Sequence, residues 1–480
     1  MYVYTNRRVF DWNRQEQFAR ASGDRNPIHM DPIAARRTHA GTRIVHGVHA
    51  VLWALDCFAQ TELYAPHIKS VKAQFPRPIY IDDEVLIQIA RPTPDTVRAL
   101  LLVGGEQVVE IAINFDATGG SALPSNIASD AASAMQPVLP VERSVDDMEH
   151  LAGLLSFSPN VSELGAMFPA ANRALGLATL ASLASTSYLV GMVVPGLHSM
   201  FSGLDISLSQ IPVAITDALE FRVLAVNRRF RLARIGIRGP GLYGILEAIN
   251  RLPPVKQLSM ELARTLVVPN EFRGATVLVI GGSRGLGEVS AKLLAAGGSA
   301  VVITYTKGAS DASAVVDEIV DVGARCEAIP YDIHRAPLDQ IAQMSVAPTH
   351  VYYFATPPIS LRKRQLFDVT RFTEFNAFYL SGFSALVQAC ASIRNDGVKF
   401  FYPSSSFVET RPKSMTEYTM SKAAGEILCA DMMRIIPGVK IVTHRLPRLP
   451  TDQTSSVVQS VTADPVAVML PLIREMQARV

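Results

Sequence analysis

The stretch Ala21-Ser22-Gly23-Asp24-Arg25-Asn26-Pro27-Ile28-His29, with Ile44-Val45-His46-Gly47-Val48 a short way behind it, decides the reading of this chain. It sets a carboxylate and an imidazole five residues apart in a segment rich in turn formers. Asp, Asn-Pro and Gly favour turns, so the segment reads as neither a plain helix nor a plain strand. An acid and a base held on a turn, with a backbone amide close by, suit the addition of water to an activated double bond. Asp24 and His29 converge on one water: one takes its proton while the other gives a proton to carbon, or the reverse in dehydration. Asn26 orders the turn or holds the water. Gly47 has no side chain, so its N–H can approach a carbonyl oxygen closely. A helix N-terminus there would stabilise the negative charge that develops.

Working outward, residues 13–21 form a polar helical segment and Gly47–Thr61 an apolar helix. Strand-like runs follow at 68–75, 84–90, 97–103 and 107–115, which predicts an α+β layer with an antiparallel sheet over residues 1–118. Residues 119–141, rich in Ala, Ser and Pro, read as a linker. Residues 142–252 repeat the first block in outline: an uncharged helix ending near 190–194, a Pro195-Gly196 turn, then strand-like runs at 200–208, 218–226 and 230–237. The polar motif does not recur, so a duplication with one active half is the simplest account. A second linker at 253–274 carries Pro253, Pro254 and Pro269. From 275 to 480, short apolar runs (Thr276–Ile280, Ala300–Tyr305, 351–354, 399–402, 439–443) alternate with amphipathic stretches such as 288–296 and 312–322. That is the βαβ alternation of a doubly wound parallel sheet.

The chain has 480 residues, enough for two to four domains, and 49% hydrophobic against 18% charged residues argue for large cores. A net charge of +2, from 45 basic and 43 acidic residues, offers no polyanion-binding surface, so no nucleic-acid partner is expected. The four cysteines are widely spaced with no CxxC pair, which indicates neither a zinc site nor a disulfide framework, and a reducing, cytoplasmic setting is expected. The N-terminus has no apolar core of signal-peptide type. Between Arg173 and Asp205 there is no charged residue, a length that could span a bilayer. Ser182, Ser185, Thr186, Ser187, Gly191, Pro195 and His198 interrupt it, and basic flanks and an aromatic belt are missing, so it reads as a buried helix rather than a membrane span. His39, His46 and His49 read as structural or pocket-lining residues, and no metal is expected.

In the third block, Gly281-Gly282-Ser283-Arg284-Gly285-Leu286-Gly287 follows an apolar strand and opens a helix. The glycines permit a tight turn and let the backbone approach a pyrophosphate at the positive helix end. Tyr418-Thr419-Met420-Ser421-Lys422 puts Tyr and Lys on one helix face. A neighbouring ammonium lowers a phenol pKa, which would make Tyr418 a usable acid and base for hydride chemistry. Of the adjacent Ser404, Ser405 and Ser406, Ser405 lies thirteen residues before Tyr418 and is the candidate to polarise a carbonyl. The second strand ends Thr304-Tyr305-Thr306-Lys307, without the acidic residue that binds the ribose diol of NAD. Arg284 and Lys307 can instead meet a 2′-phosphate, which favours NADP(H) over NAD(H).

The motif Ser22-Gly23-Asp24-x-Asn26-Pro27-x-His29, with His46-Gly47 and Phe75-Pro76-Arg77-Pro78-Ile79-Tyr80-Ile81-Asp82-Asp83, resembles the MaoC-like (R)-specific enoyl-thioester hydratases. The resemblance implies a hot-dog fold, a helix wrapped by an antiparallel sheet. It implies that Asp24 and His29 are the catalytic pair, with Gly47 as oxyanion donor. The second block would be a companion hot-dog half, as in relatives that handle bulky acyl chains. The third block resembles the short-chain dehydrogenase/reductase family. That implies catalytic Ser405, Tyr418, Lys422 and Asn376, with Asp332 against the adenine. Cofactor contacts would come from Gly281, Ser283, Arg284, Gly285, Leu286, Gly287, Thr306, Lys307, Asp332, Ala355, Tyr418 and Lys422. The chain departs from that family at Phe354-Ala355-Thr356, where Asn-Ala-Gly is usual, and at Pro447-Arg448, where Pro-Gly is usual.

Together these features suggest a bifunctional enzyme on acyl thioesters of coenzyme A or a carrier protein. One alternative is a hydratase with an impaired, regulatory nucleotide-binding domain, and another is a non-catalytic assembly module. The family resemblance alone suggests a homo-oligomer.

Overall fold

The computed structural model describes residues 2–62, 65–116, 139–156, 160–208, 218–359, 367–394, 396–454 and 461–478. Nearly all of the linker expected at 119–141 therefore lies outside the described residues. There are two compact units, one ending at Pro253 and the next beginning at Pro254.

The first unit opens with β1 (Tyr2–Val9), α1 (Trp12–Ser22), the short turns α2 (Pro27–Met30) and α3 (Pro32–Arg36), and α4 (Gly47–Thr61). Then come β2 (His67–Gln74), β3 (Glu84–Thr93), β4 (Thr96–Val103) and β5 (Glu106–Asp116). The pattern returns with β6 (Ala152–Ser156), α5 (Val161–Met167), α6 (Pro169–Leu175) and α7 (Leu177–Tyr188), which runs on as a π-helix over Leu189–Val193. β7 (Ser199–Leu208), β8 (Ala218–Asn227), β9 (Leu232–Gly239) and β10 (Leu242–Asn250) complete it.

All ten strands form one sheet in the order β1-β3-β4-β5-β2-β7-β10-β9-β8-β6, the same arrangement mirrored about the β2–β7 ladder. That antiparallel ladder, from Ser70↔Ser207 to Gln74↔Gly203, joins the two halves. β4 and β9 bury every second residue, as expected where one sheet face meets the core and the other meets water. α4 is buried from Val48 to Ala59 and α7 from Thr179 to Tyr188, so protein surrounds each helix on all sides. Both helices and the sheet share one hydrophobic core. Among the described residues no single helix is long and apolar enough to cross a membrane. Pro169–Leu175 and Leu177–Val193 reach that length only as a pair, bent by 113°.

Three strands of this unit were not expected. β1 and β6 lie at the sheet edges, where water on one side blurs the alternation. β10 carries Gly244 in its middle, where a methyl group would sit 2.3 Å from the Asp205 carbonyl oxygen of β7. Glycine is imposed there by close backbone approach and hides the strand.

The second unit begins with α8 (Met260–Leu266), β11 (Thr276–Ile280), α9 (Gly285–Ala296), β12 (Ala300–Tyr305), α10 (Ala309–Asp321), β13 (Cys326–Pro330) and α11 (Pro337–Ile341). It continues with β14 (His350–Tyr353), α12 (Val369–Asn376), a π-helix at Ala377–Gly382 and α13 (Phe383–Ile393). β15 (Val398–Ser405), α14 (Phe407–Thr410), α15 (Thr416–Ile435), β16 (Val439–Leu446) and α16 (Pro465–Gln477) follow. The six strands are parallel in the order β13-β12-β11-β14-β15-β16, with separate cores on the two faces. This is the doubly wound architecture, and its order reverses between β11 and β14, where ligands bind in such sheets. β13 was not expected, and α9 starts at Gly285 rather than 288. The stretch 253–274 is more than a spacer, because α8 buries Met260 and Ala263 in the core of this unit.

Candidate functional site

In the first unit the motif turn lies between α1 and α2. Gly23 ends α1 in the left-handed region (φ 77°), and Asn26 caps α2 by accepting the Ile28 N–H at 3.1 Å. His29 therefore sits on one turn of helix, where the sequence suggested none. Asp24 is buried, and its carboxylate accepts the Ser187 hydroxyl at 2.6 Å and the Asn26 N–H at 3.1 Å. His29 Nδ1 lies 2.8 Å from the Ile44 carbonyl oxygen, a pure acceptor, so Nδ1 carries the proton and Nε2 keeps its lone pair. The His46 ring stacks on His29 with centroids 4.0 Å apart, and its Nε2 donates to the Asp24 carbonyl oxygen at 3.0 Å. Gly47, the next residue, opens α4 with no side-chain cap, which leaves the helix-end N–H groups for another acceptor.

Burial sets the electrostatics. It pushes the Asp24 carboxyl above its usual range, against the opposing pull of His29 and of the Ser187 and Asn26 hydrogen bonds. It lowers the His29 imidazole, against the pull of Asp24 and the Ile44 carbonyl. Burial thus brings the Asp24 carboxyl closer to neutral pH and keeps the His29 imidazole uncharged there, so that its Nε2 can act as a base. Ligand atoms of Asp24, His29 and His46 all lie within 4.8 Å of one another, a spacing that could also hold a metal ion, although His46 Nε2 is engaged by the Asp24 carbonyl.

Of the two roles expected of Asn26, the geometry matches ordering the turn. Asn26 is fully buried, and Nδ2 donates to the carbonyls of Gly191 (2.6 Å) and Gly196 (3.0 Å) in the second half. Ser187 and Gly191 are the participants that the sequence reading missed. A methyl group at Gly191 would lie 2.3 Å from Asp24 Oδ1, so only glycine leaves room for the carboxylate. Their one signal was the row of small and hydroxyl residues in an otherwise apolar, uncharged helix.

In the second unit Gly281 (φ 79°) and Gly285 (φ 60°) adopt the left-handed conformation, and a methyl group at Gly287 would meet the Gly281 carbonyl oxygen at 2.2 Å. Arg284 precedes α9, whose N-terminus has no side-chain cap. This cradle, with Ser283 and Leu286 in it, fits the phosphates of a dinucleotide. Ala355 N is 3.2 Å from where a methyl on Gly281 would sit. Thr306 and Lys307 are exposed at the end of β12. Arg284 forms an ion pair with Asp452 at 3.1 Å, so its charge is partly neutralised. The Asp332 carboxylate holds its own turn through the His334 N–H at 3.0 Å.

A hydrogen bond links Ser405 to Tyr418. Ser404 instead donates to Glu426, and Ser406 sits at the start of α14 with no side-chain cap bond, so Ser405 is the serine at the tyrosine. Asn376 accepts the Ser421 hydroxyl at 2.8 Å. Lys422 Nζ donates to the Pro403 carbonyl (2.7 Å), 3.8 Å from the Tyr379 ring centroid and 5.9 Å from that of Tyr418. This corrects the expected activation of Tyr418. Burial lowers Lys422 to about 7, and burial raises the Tyr418 phenol despite Ser405. A group charged only below about 7 gives little help to a phenol that titrates above its usual value.

Residues 4–106 match the family model of the MaoC like domain, and residues 275–347 match that of the short chain dehydrogenases. A 3-hydroxybutyryl-CoA dehydratase of Methylorubrum extorquens is 36% identical over 101 residues, 19% of this chain and 64% of that protein. A hydroxynaphthalene reductase-like protein of Metarhizium acridum is 37% identical over 76 residues, 16% of this chain and 28% of that protein. The chain thus spans less than two thirds of either relative. Solved structures with some likeness include a 3-oxoacyl (acyl-carrier-protein) reductase of Agrobacterium tumefaciens with NADP bound, at 20% identity and a TM-score of 0.38, over 43% of this chain and 88% of that one. The chain joins a MaoC-like dehydratase region to a short-chain dehydrogenase region.

Proposed function

We propose that the chain is a bifunctional acyl-thioester enzyme. Its first site interconverts a trans-2-enoyl and a (3R)-3-hydroxyacyl thioester, and its second interconverts the 3-hydroxyacyl and 3-oxoacyl forms with NADP(H). The observation that carries the first activity is the buried Asp24–His29 pair, with no hydrogen-bond partner on His29 Nε2 among the described residues and the Gly47 helix end beside it. His29 Nε2 and Asp24 share the proton traffic of one water, and the Gly47 N–H stabilises the enolate-like oxygen. For the second activity, the glycine turn holds the dinucleotide, and Ser405 and Tyr418 orient the ketone or alcohol through their hydroxyls. Bound there, the dinucleotide supplies or accepts a hydride. The shared 3-hydroxyacyl intermediate gives a chemical reason for the fusion, and the basic residues Arg284 and Lys307 favour the reductive direction with NADPH.

The test is to supply the full chain with a 3-oxoacyl thioester and NADPH, following cofactor absorbance and enoyl product. Cofactor oxidation followed by enoyl formation is expected. Enoyl hydration without cofactor turnover at any acyl length would select a second reading: a hydratase with a nucleotide-binding, catalytically impaired partner domain. The raised Tyr418 phenol and the Arg284–Asp452 pair favour that second reading.

A further inference from the structure

Arg251, at the end of β10, is only 6% exposed, yet among the described residues no carboxylate pairs with it. Its Nε and Nη2 donate to the carbonyls of Ser199 (3.2 Å) and Leu197 (3.3 Å), and Nη1 has no acceptor among the described residues. Nη1 is also absent from the fully buried atoms that lack a partner, so the remaining exposure reaches it. The carboxylate on this turn, Glu142, binds His198 instead, at 3.0 Å. Arg231, the next cation, donates to the Asn250 and Arg251 carbonyls and brings more positive charge. A buried guanidinium without a counter-ion is costly and calls for a missing anion.

The position is beside the catalytic turn. The Leu197 carbonyl that accepts Arg251 also lies 3.4 Å from Asn26 Nδ2, three residues before His29. The cation opposes protonation of both His29 and His39.

We propose that Arg251 is the receptor for an oxyanion carried by the substrate, either a carboxylate on the acyl group or a phosphate on its carrier. This rests on the hydratase reading above and adds a substrate-recognition element from the half without the motif. A planar guanidinium with a free outer amine suits charge-assisted recognition of either group.

The test compares wild type, Arg251→Gln and Arg251→Lys on three thioesters. These are 2-butenoyl-CoA, its N-acetylcysteamine analogue without phosphate, and an N-acetylcysteamine thioester whose enoyl group ends in a carboxylate. Arg251→Gln should lower kcat/KM about tenfold more on one of the two anionic thioesters than on the neutral one, and Arg251→Lys should recover part of that difference. Selective loss on the CoA thioester identifies a phosphate, and selective loss on the acid identifies a carboxylate. Equal losses on all three, with an active wild type, overturn the inference alone. A wild type that hydrates none overturns the hydratase reading and this inference with it. If Arg251→Gln does not fold, wild-type inhibition on the neutral thioester decides: competition by inorganic phosphate or succinate supports the proposal, and none by either overturns it.

Discussion

In each half of the antiparallel unit, the central helix of one half reaches the stretch just before the central helix of the other. In the first half the contact is Ser187 of α7 donating to Asp24 at 2.6 Å. In the second it is Asp56 of α4, which accepts the N–H groups of Ala170 (2.7 Å) and Ala171 (3.0 Å) at the start of α6. The same reach supports a buried carboxylate on one side and caps a helix on the other. Duplication supplied two equivalent places. One keeps an acid, an imidazole held through Nδ1 and a helix end without a side-chain cap, and the other is filled by α6. The half without the motif still builds the candidate site, since Ser187, Gly191 and the Gly191 and Gly196 carbonyls all belong to it.

The largest break in this contrast is Asp24→Asn or His29→Ala, expected to lower the kcat/KM of hydration by about a thousandfold. Asp24 also sets a pH dependence. Its carboxyl is raised in the folded state, so the carboxylate disappears as pH falls through a value above the ordinary 3.8, and the acid limb of activity should sit above that value. By the same sign, the folded state prefers the protonated group, so the charged carboxylate costs stability at neutral pH. Asp24→Asn should therefore keep or raise Tm while activity is lost. A parallel fall in Tm would point to a structural role.

Ser187→Ala should come next, at about tenfold, since it removes one hydrogen bond to a charged group. Losing a bond that favours the carboxylate should also move the acid limb to higher pH. An unmoved limb would separate the second half from the chemistry. Asp56→Ala is the mirror experiment. It should cost about 2 kcal/mol of stability by leaving two buried N–H groups unpaired, with kcat within about twofold. The smallest effect is in the other unit. Asp452→Asn removes the charge that faces Arg284 and should tighten NADPH binding a few-fold by fluorescence titration, with little change for NADH.

The polar cluster at the motif turn was legible because it is local: Asp24, Asn26, His29 and Gly47 lie within one short span. The alternation that marks β4 and β9 and the glycine turn before α9 were legible for the same reason. Ser187 and Gly191 were not, because a serine and a glycine in an apolar helix carry no sign of a carboxylate 163 residues away. Asn26 was left between ordering the turn and holding the water because its partners are backbone groups, which no sequence pattern marks. The Tyr418–Lys422 spacing was read correctly as one helix face. The sequence could not show that Lys422 would bury its ammonium against Tyr379 and the Pro403 carbonyl.

The most direct measurement is hydration of trans-2-butenoyl-CoA by the full chain, followed by chiral analysis of the 3-hydroxy product. The account predicts hydration with the 3R product, abolished in Asp24→Asn. An absent reaction, a 3S product, or unchanged turnover in Asp24→Asn would contradict it.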